Sequence, residues 1–312
     1  MWNYVIFNHD FYFIFYSFII FSFFGWIWET SKKSIQKKTF VNRGFLTGPI
    51  IPIYGFGGTI VYLLLFSIKE NWGLVFLLGA VIATVLEYVT AVIMESVFHA
   101  KWWDYSDYRI HFQGRISLIA SLFWGVLSVV DLYVFVPIVK AIVDWIPRTV
   151  GEVLGVFIIV IGTIDFVVTV VYALQLSRII DSLMELREEL ATYLVNTALI
   201  EKTEEWKEHI SSLSINTIRE KSIGLVNDLT KRFQLRVVNE TPDEEEQEKL
   251  VTRFRQELEL RLKNFFFKYR QNTEKGNLIH KRLLRAFPDI KLKRRTELLE
   301  DIRERWNRRK SN

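Results

Sequence analysis

The sequence contains no cysteine. Disulfides, thiolate metal sites and cysteine nucleophiles are thereby excluded. The five histidines, His9, His99, His111, His209 and His280, are scattered without ligand spacing, so no metal centre is expected. No G-x-x-x-x-G-K-[ST] loop, no H-E-x-x-H and no G-x-S-x-G is present. The chain therefore does not hydrolyse ATP by a P-loop mechanism on its own. No nucleophile–base pair and no cofactor motif can be argued, and the chain is not expected to be an enzyme. No nucleic-acid-binding module is visible. The first nine residues lack Lys and Arg, and no small-residue cleavage site follows the apolar run Phe11 to Trp28. A cleaved leader is not expected.

Charge is scarce where apolar residues are dense. Residues 1–176 hold 11 Lys+Arg against 11 Asp+Glu, and residues 177–312 hold 29 against 24, which supplies the whole net charge of +5. A single water-soluble core would not segregate in this way. A membrane helix needs roughly 20 mostly apolar residues, and five stretches qualify: 8–29, 50–68, 73–98, 116–139 and 152–176. The expected fold is all-α, a polytopic membrane domain over 1–176 with five transmembrane helices, followed by a helical cytosolic domain over 177–312. Phe11, Phe13, Phe15, Phe18, Phe21, Phe23 and Phe24 in the first span read as lipid contact and packing. Trp26, Trp28, Trp72, Trp102, Trp103 and Trp145 lie near span ends, where indoles favour the headgroup zone.

Short-loop cations set the orientation. Lys32, Lys33, Lys37, Lys38 and Arg43 precede the second span, and Lys101, Arg109 and Arg115 lie between the third and fourth. The other connections hold only Lys69, Lys140 and Arg148. Eight against three places the first two loops in the cytosol, the N-terminus outside and the long tail inside a cell membrane.

The tail reads as helices. Ile179, Leu183, Leu186, Leu190, Tyr193, Thr197 and Ile200 make a short heptad seam that would pair two subunits or pack on later helices of the same chain. The fifth span would continue into this helix. A second amphipathic stretch covers 215–238. Thr241-Pro242-Asp243-Glu244 is a capping box for a third helix to about Gln271, broken by Gly276-Asn277, with short helices on either side of Pro288. From Lys281 to Lys310 there are 12 basic and 5 acidic residues, which suits anionic lipid headgroups or a solvated helix face.

Three polar signals stand against the apolar background. The first is NRGFLTGPIIPIYGFGG, residues 42–58, where Gly44, Gly48, Pro49, Pro52 and Gly55 argue for a broken or partly re-entrant entry to the second span. Irregular backbone at membrane depth is tolerated only inside protein or beside water. The entry would point free dipoles at a substrate, or would be a kinked helix packed on its neighbours. The second is WWDYSDYRIHFQGRISL, residues 102–118, with Trp103, Asp104, Tyr105, His111 and Arg115. It suits an ordered interfacial element or a cavity mouth, or else an aromatic belt with snorkelling charges. The third is acid within spans: Glu87 and Asp165 near mid-span, Glu95 two turns nearer the cytosol, Asp131 toward the outer side, and Glu29 closing the first span. Glu29, Arg43, Glu95, Asp104 and Arg115 form a constellation at the cytosolic face, either a salt-bridge network or part of a path for ions or substrate. Glu87 and Asp165 are the candidates for proton or cation coupling.

Longer motifs carry a family resemblance. GWIWET (25–30), NRGFLTGPIIPIYGFG (42–57), LEYVTAVIMESVFHAKWWDYSDY (86–108), GRISLIASLFWG (114–125) and the tail segment RLLRAFPDIK (282–291) resemble the bacterial type-IV ABC-transporter permease family, the CmpB-like membrane proteins. The resemblance implies a permease-like membrane subunit moving a small solute or ion, with a separate ATPase chain docking on the cytosolic loops. It places Glu29, Arg43, Gly44, Gly48, Pro49, Pro52, Tyr54, Gly55, Glu87, Glu95, Trp103, Asp104, Tyr105, Gly114, Arg115 and Trp124 within the family motifs. His111 stands where the family pattern has Asn. Two other readings stay open: a membrane-anchored scaffold or sensor whose cytosolic helices recruit partners, and a membrane enzyme acting on a lipid headgroup.

Overall fold

The computed structural model describes residues 2–6, 9–198, 222–240, 243–274, 278–287 and 291–292. The chain divides into two compact units, Met1–Leu174 with Arg282–Lys293, and Gln175–Lys281 with Arg294–Asn312.

In the first unit, a two-residue hairpin, β1 (Val5–Ile6) with β2 (His9–Asp10), leads into α1, Phe11–Lys37. Asp10 caps α1 by accepting the amide of Tyr12 at 3.2 Å. After an irregular stretch, α2 spans Pro52–Leu65 with proline in its first turn, and a 3₁₀ turn, Phe66–Ile68, ends it. Asn71 caps α3, Trp72–Phe98. Strands β3 (Ala100–Lys101), β4 (His111–Phe112) and β5 (Ile116–Ser117) shape the next connection. Ser117 caps α4, Leu118–Val130. A π-helical turn, Asp131–Phe135, joins α4 to α5, Val136–Trp145. Then α6 runs unbroken over Arg148–Ala198.

Among the described residues, four helical segments are long and apolar enough to cross a membrane: Phe11–Lys37, Trp72–Phe98, Leu118–Trp145 and Arg148–Leu186. The chain is a multi-pass membrane protein. The second expected span differs. Its helix, Pro52–Ile68, is shorter than the others because Pro49 and the glycines before Pro52 keep residues 39–51 out of helix.

Helices pair where small residues allow close approach. A Cβ on Gly55 would meet Ser22 Oγ at 2.1 Å, which locks α2 against α1. A Cβ on Gly79 would meet Ser128 Cβ at 2.3 Å, which does the same for α3 and α4. The apolar core lies at the hairpin end and is built from Trp2, Tyr12, Tyr16, Tyr62, Val75, Val136 and Val139. Arg148 closes that end by pairing with Asp10 at 2.5 Å, and holds the Asp10 carboxyl below its ordinary range. The opposite end carries the irregular segment and the polar side chains.

In the second unit, α7 (Ser222–Glu240) packs on α8 (Glu244–Glu274), with Phe233 stacked on Phe254 at 4.3 Å. Leu183, Leu229, Leu258 and Leu262 are buried. Ile179 and Leu183 of the heptad seam are buried, and neighbouring Ser182 accepts from Asn272 at 3.2 Å. The side chains of the seam from Leu190 on lie outside the described residues. So do Thr241 and Pro242, and the cap that is seen on α8 is Asp243, which accepts the amide of Glu245 at 3.1 Å. The expected break at 276–277 and most of the basic run 281–310 also fall outside the described residues. The last described helix, α9, covers Leu278–Ala286, and in the first unit β6 (Lys291–Leu292) pairs with β3.

Candidate functional site

The irregular segment 39–51 is stitched into the first unit group by group. Ser34 accepts the amide of Val41 at 3.0 Å and Thr30 that of Arg43 at 3.3 Å. Asn42 accepts from Trp26 Nε1 at 2.8 Å and from the Gly44 amide at 3.0 Å, and donates to Thr47 O at 2.8 Å. The Arg282 guanidinium donates to three successive carbonyls, Gly44 at 2.8 Å, Phe45 at 2.7 Å and Leu46 at 3.0 Å. The Asp165 carboxylate accepts the next two amides, Thr47 at 3.0 Å and Gly48 at 2.8 Å. Ile51 then donates to Ser22 O at 3.0 Å. Over residues 44–48, backbone that lacks helical partners is thus matched by one cation for three carbonyls and one anion for two amides. Burial lowers the pKa of Arg282, opposed by the charge of Asp165.

The expected constellation at this end separates into pairs. Glu29 meets Arg43 at 3.8 Å and also accepts the Tyr54 hydroxyl at 2.9 Å. Arg43 donates to the Ala286 carbonyl and lies 4.7 Å from the Phe287 ring centre. Glu95 and Arg115 form a forked ion pair with N–O distances of 3.2 Å, 3.2 Å and 2.7 Å. Asp104 joins neither pair, because it closes its own turn by accepting the Ser106 amide at 3.0 Å and hydroxyl at 2.5 Å.

The 99–117 connection is an ordered hairpin. Gln113 and Gly114 take positive φ at its turn, and a Cβ on Gly114 would lie 2.2 Å from Asp104 Oδ1. His111 is exposed and its Nδ1 lies 3.1 Å from the Gly114 amide nitrogen, as a turn acceptor. Trp103 Nε1 donates to Arg115 O at 3.0 Å. Trp102 is buried against Phe45, Phe98 and Phe287 and is not part of an exposed belt.

The hairpin delivers Tyr105 to Glu87. The Tyr105 hydroxyl donates to Glu87 Oε1 at 2.9 Å, and Trp124 Nε1 donates to Oε2 at 3.0 Å. Glu87 is 4 % exposed, with both oxygens occupied. Burial beside this carboxylate pushes the Tyr105 hydroxyl far above the ordinary tyrosine range.

Beneath Glu87 lies a cavity of about 320 Å³ between α1, α2, α3 and α4. Phe21, Ile53, Val61, Leu86, Leu127 and Phe135 give it apolar walls, and Gly57 and Gly58 leave room along α2. Its mouth opens sideways, since the lining residues Trp28, Phe123 and Val126 are exposed. Of the two acids proposed for coupling, Glu87 lines this cavity and Asp165 does not. Glu95 does not line it either. The acid that does, besides Glu87, is Asp131, which is 5 % exposed on the π-helical turn. Its signal in the sequence was a charge inside an apolar run.

Arg282 was legible as one cation of the basic run 281–310 and as the first residue of the tail motif RLLRAFPDIK, with no sign of its backbone partners. Comparison with known proteins adds one match: residues 16–170 fit the family model described as "Putative ABC-transporter type IV". No curated protein and no solved structure matches the chain.

Proposed function

The chain belongs to this ABC-transporter family through residues 16–170, and from that premise we propose that it is a permease-type subunit. The proposed solute is apolar or amphiphilic and uses the sideways-opening cavity. The observation that carries this reading is the cavity itself. Its volume, about 320 Å³, falls at the low end of the ~300–1,000 Å³ typical of small-molecule sites. It also lies in the middle of helices that span a membrane. Loops 30–43 and 99–115 face the cytosol, the N-terminus lies outside and the tail inside. A separate ATPase chain docks on the cytosolic loops and supplies the energy, since the sequence has no P-loop.

The test is affinity capture from native membranes, followed by reconstitution of the captured complex in vesicles with fluorescent amphiphiles. The expected result is an associated ATPase and ATP-driven redistribution of at least one probe, abolished by filling the cavity with Gly57→Leu. Capture without an ATPase, or redistribution unchanged by that substitution, defeats the proposal.

A scaffold or sensor reading is favoured by a different observation. Glu29, Glu95, Arg115 and Asp165 all have partners in the protein, as a locked framework requires. Under that reading the cavity-filling variant stays fully functional, and loss of function tracks with loss of the fold.

A further inference from the structure

The two acids that line the cavity are not equivalent. Glu87 spends both oxygens on Tyr105 and Trp124. Asp131 Oδ2 is buried with no hydrogen-bond partner among the described residues. Ser128, which also lines the cavity, does not serve it, because its hydroxyl donates to Trp124 O at 2.9 Å. Gly58 lies beside Asp131, where a Cβ would stand 3.2 Å from Oδ1. Among the described residues, no Lys, Arg or His lines the cavity. A carboxylate in a membrane interior ordinarily faces a partner charge, a donor or water. Here the surroundings on offer are aromatic and aliphatic walls.

Asp131 also opens a π-helical turn, in which its carbonyl accepts from Val136 N five residues on. Such turns insert an extra residue into a helix and frequently mark functional positions. Along the helix, Asp131 is seven residues from Trp124, about 10 Å further from the hairpin. The cavity is therefore long, apolar and mouthed toward lipid, with an unpartnered acid beyond the level of Glu87. A bare metal ion is poorly served, because it needs several oxygens, and no group of three potential ligands exists among the described residues.

Building on the permease reading above, we infer that the cavity binds an amphiphile with a cationic, hydrogen-bond-donating head, of the primary ammonium class. The head pairs with Asp131 and the hydrocarbon lies along Phe21, Val61, Leu127 and Phe135. Charge and donor geometry together give selectivity for ammonium over a neutral or anionic head on the same chain.

The test uses the full-length chain in nanodiscs of zwitterionic lipid and three photoactivatable ten-carbon probes with an ammonium, an alcohol or a carboxylate head. Cross-linked peptides are mapped by mass spectrometry. The ammonium probe is expected to label cavity-lining peptides of α1 and α4 at least 10-fold below the concentration needed by the other two. Asp131→Asn should erase that advantage while leaving alcohol labelling in place. Equal labelling by ammonium and alcohol in the wild type, or an advantage that survives Asp131→Asn, overturns the inference and leaves the cavity reading standing. Absence of cavity labelling by all three probes overturns both. The wild-type series decides on its own if the variant does not fold.

Discussion

Gly48 donates its backbone amide to Oδ2 of Asp165 at 2.8 Å, across 117 residues of sequence. Thr47 donates to the other oxygen of the same carboxylate, and Thr169 adds a hydroxyl at 3.2 Å. One acid on α6 therefore takes two amides that no helix can use. Placed mid-span by the sequence, Asp165 is occupied as an anchor for the broken entry, and its charge is explained by that contact alone. Arg282 does the complementary task for three carbonyls. The permeation argument then rests on Glu87 and Asp131.

Asp165→Ala is expected to lower stability by about 1 kcal/mol, the low end of the cost of unmatched donors, because the Gly48 amide is half-buried and that of Thr47 is exposed. Asp165→Asn keeps one acceptor and should recover about half of the loss. Thermal unfolding in detergent measures both. Equal stability of the Ala variant and the wild type would show that the entry segment holds itself.

Arg282→Lys should behave almost like Arg282→Ala. A guanidinium presents its donors as a planar fork that reaches Gly44, Phe45 and Leu46 together, and an ammonium is a single point on a flexible stem. Limited proteolysis between residues 39 and 51 reports the outcome. Accelerated cleavage in both variants is expected, and protection retained in the Lys variant would mean that charge, not shape, holds the segment.

Much of this was legible in the sequence where physics is local. The run of Gly and Pro before Pro52 announced a broken entry, and the apolar lengths announced α1, α3, α4 and α6. The crowded loop 102–118 left an ordered element and an aromatic belt equally open. Pairing was harder to read. Eight residues at 100° each leave Glu87 and Glu95 about 80° apart on one helix, near enough to face one cavity, but Arg115 pulls Glu95 into a forked ion pair, while Tyr105 and Trp124 hold Glu87 inward. Nothing at positions 44–46 specifies a partner about 240 residues away, because a free carbonyl leaves no mark in composition. The shortness of α2 was hidden for a related reason. Apolar content continues through 50–68, whereas helical hydrogen bonding begins only at Pro52.

Gly114→Ala should loosen the hairpin that carries Tyr105. Gly114 has φ +70°, and a Cβ there would press on Asp104 Oδ1 at 2.2 Å. Strain of this kind costs about 1–3 kcal/mol. Because Trp124 shares Glu87 with Tyr105 and the chain has ten tryptophans, the assigned Trp124 signal in the fluorine spectrum of fluorotryptophan-labelled protein is the reporter, and a shift of that signal on Gly114→Ala is expected. A second substitution, Asp104→Gly, removes the Asp104 contact only, since the Cβ would still stand 2.6 Å from Ser106 Oγ, and it leaves the φ strain, so it should restore only part of the wild-type spectrum. Full restoration would assign the whole effect to the clash.

Tyr105 makes the stability of the protein depend on alkaline pH. In an unfolded chain a tyrosine loses its proton near pH 10. In the folded protein, burial and the neighbouring Glu87 hold the Tyr105 proton well above that. The folded state then binds more protons than the unfolded one above about pH 10. The stabilisation is complete below that pH and declines as pH rises beyond it, by about 1.4 kcal/mol per pH unit for one such group. Tyr105→Phe removes this dependence, but leaves Glu87 Oε1 without its donor, a cost of about 1–3 kcal/mol at neutral pH. The lost hydrogen bond costs the variant the same at every pH in this range, whereas the proton-linked loss falls on the wild type alone and grows above pH 10. Thermal unfolding from pH 8 to 11 should therefore show the wild type ahead of Tyr105→Phe at pH 8, with the gap narrowing above pH 10. A constant gap across the series would mean that the Tyr105 hydroxyl ionises as readily in the folded chain as in the unfolded one, and that the Glu87 contact is open to solvent.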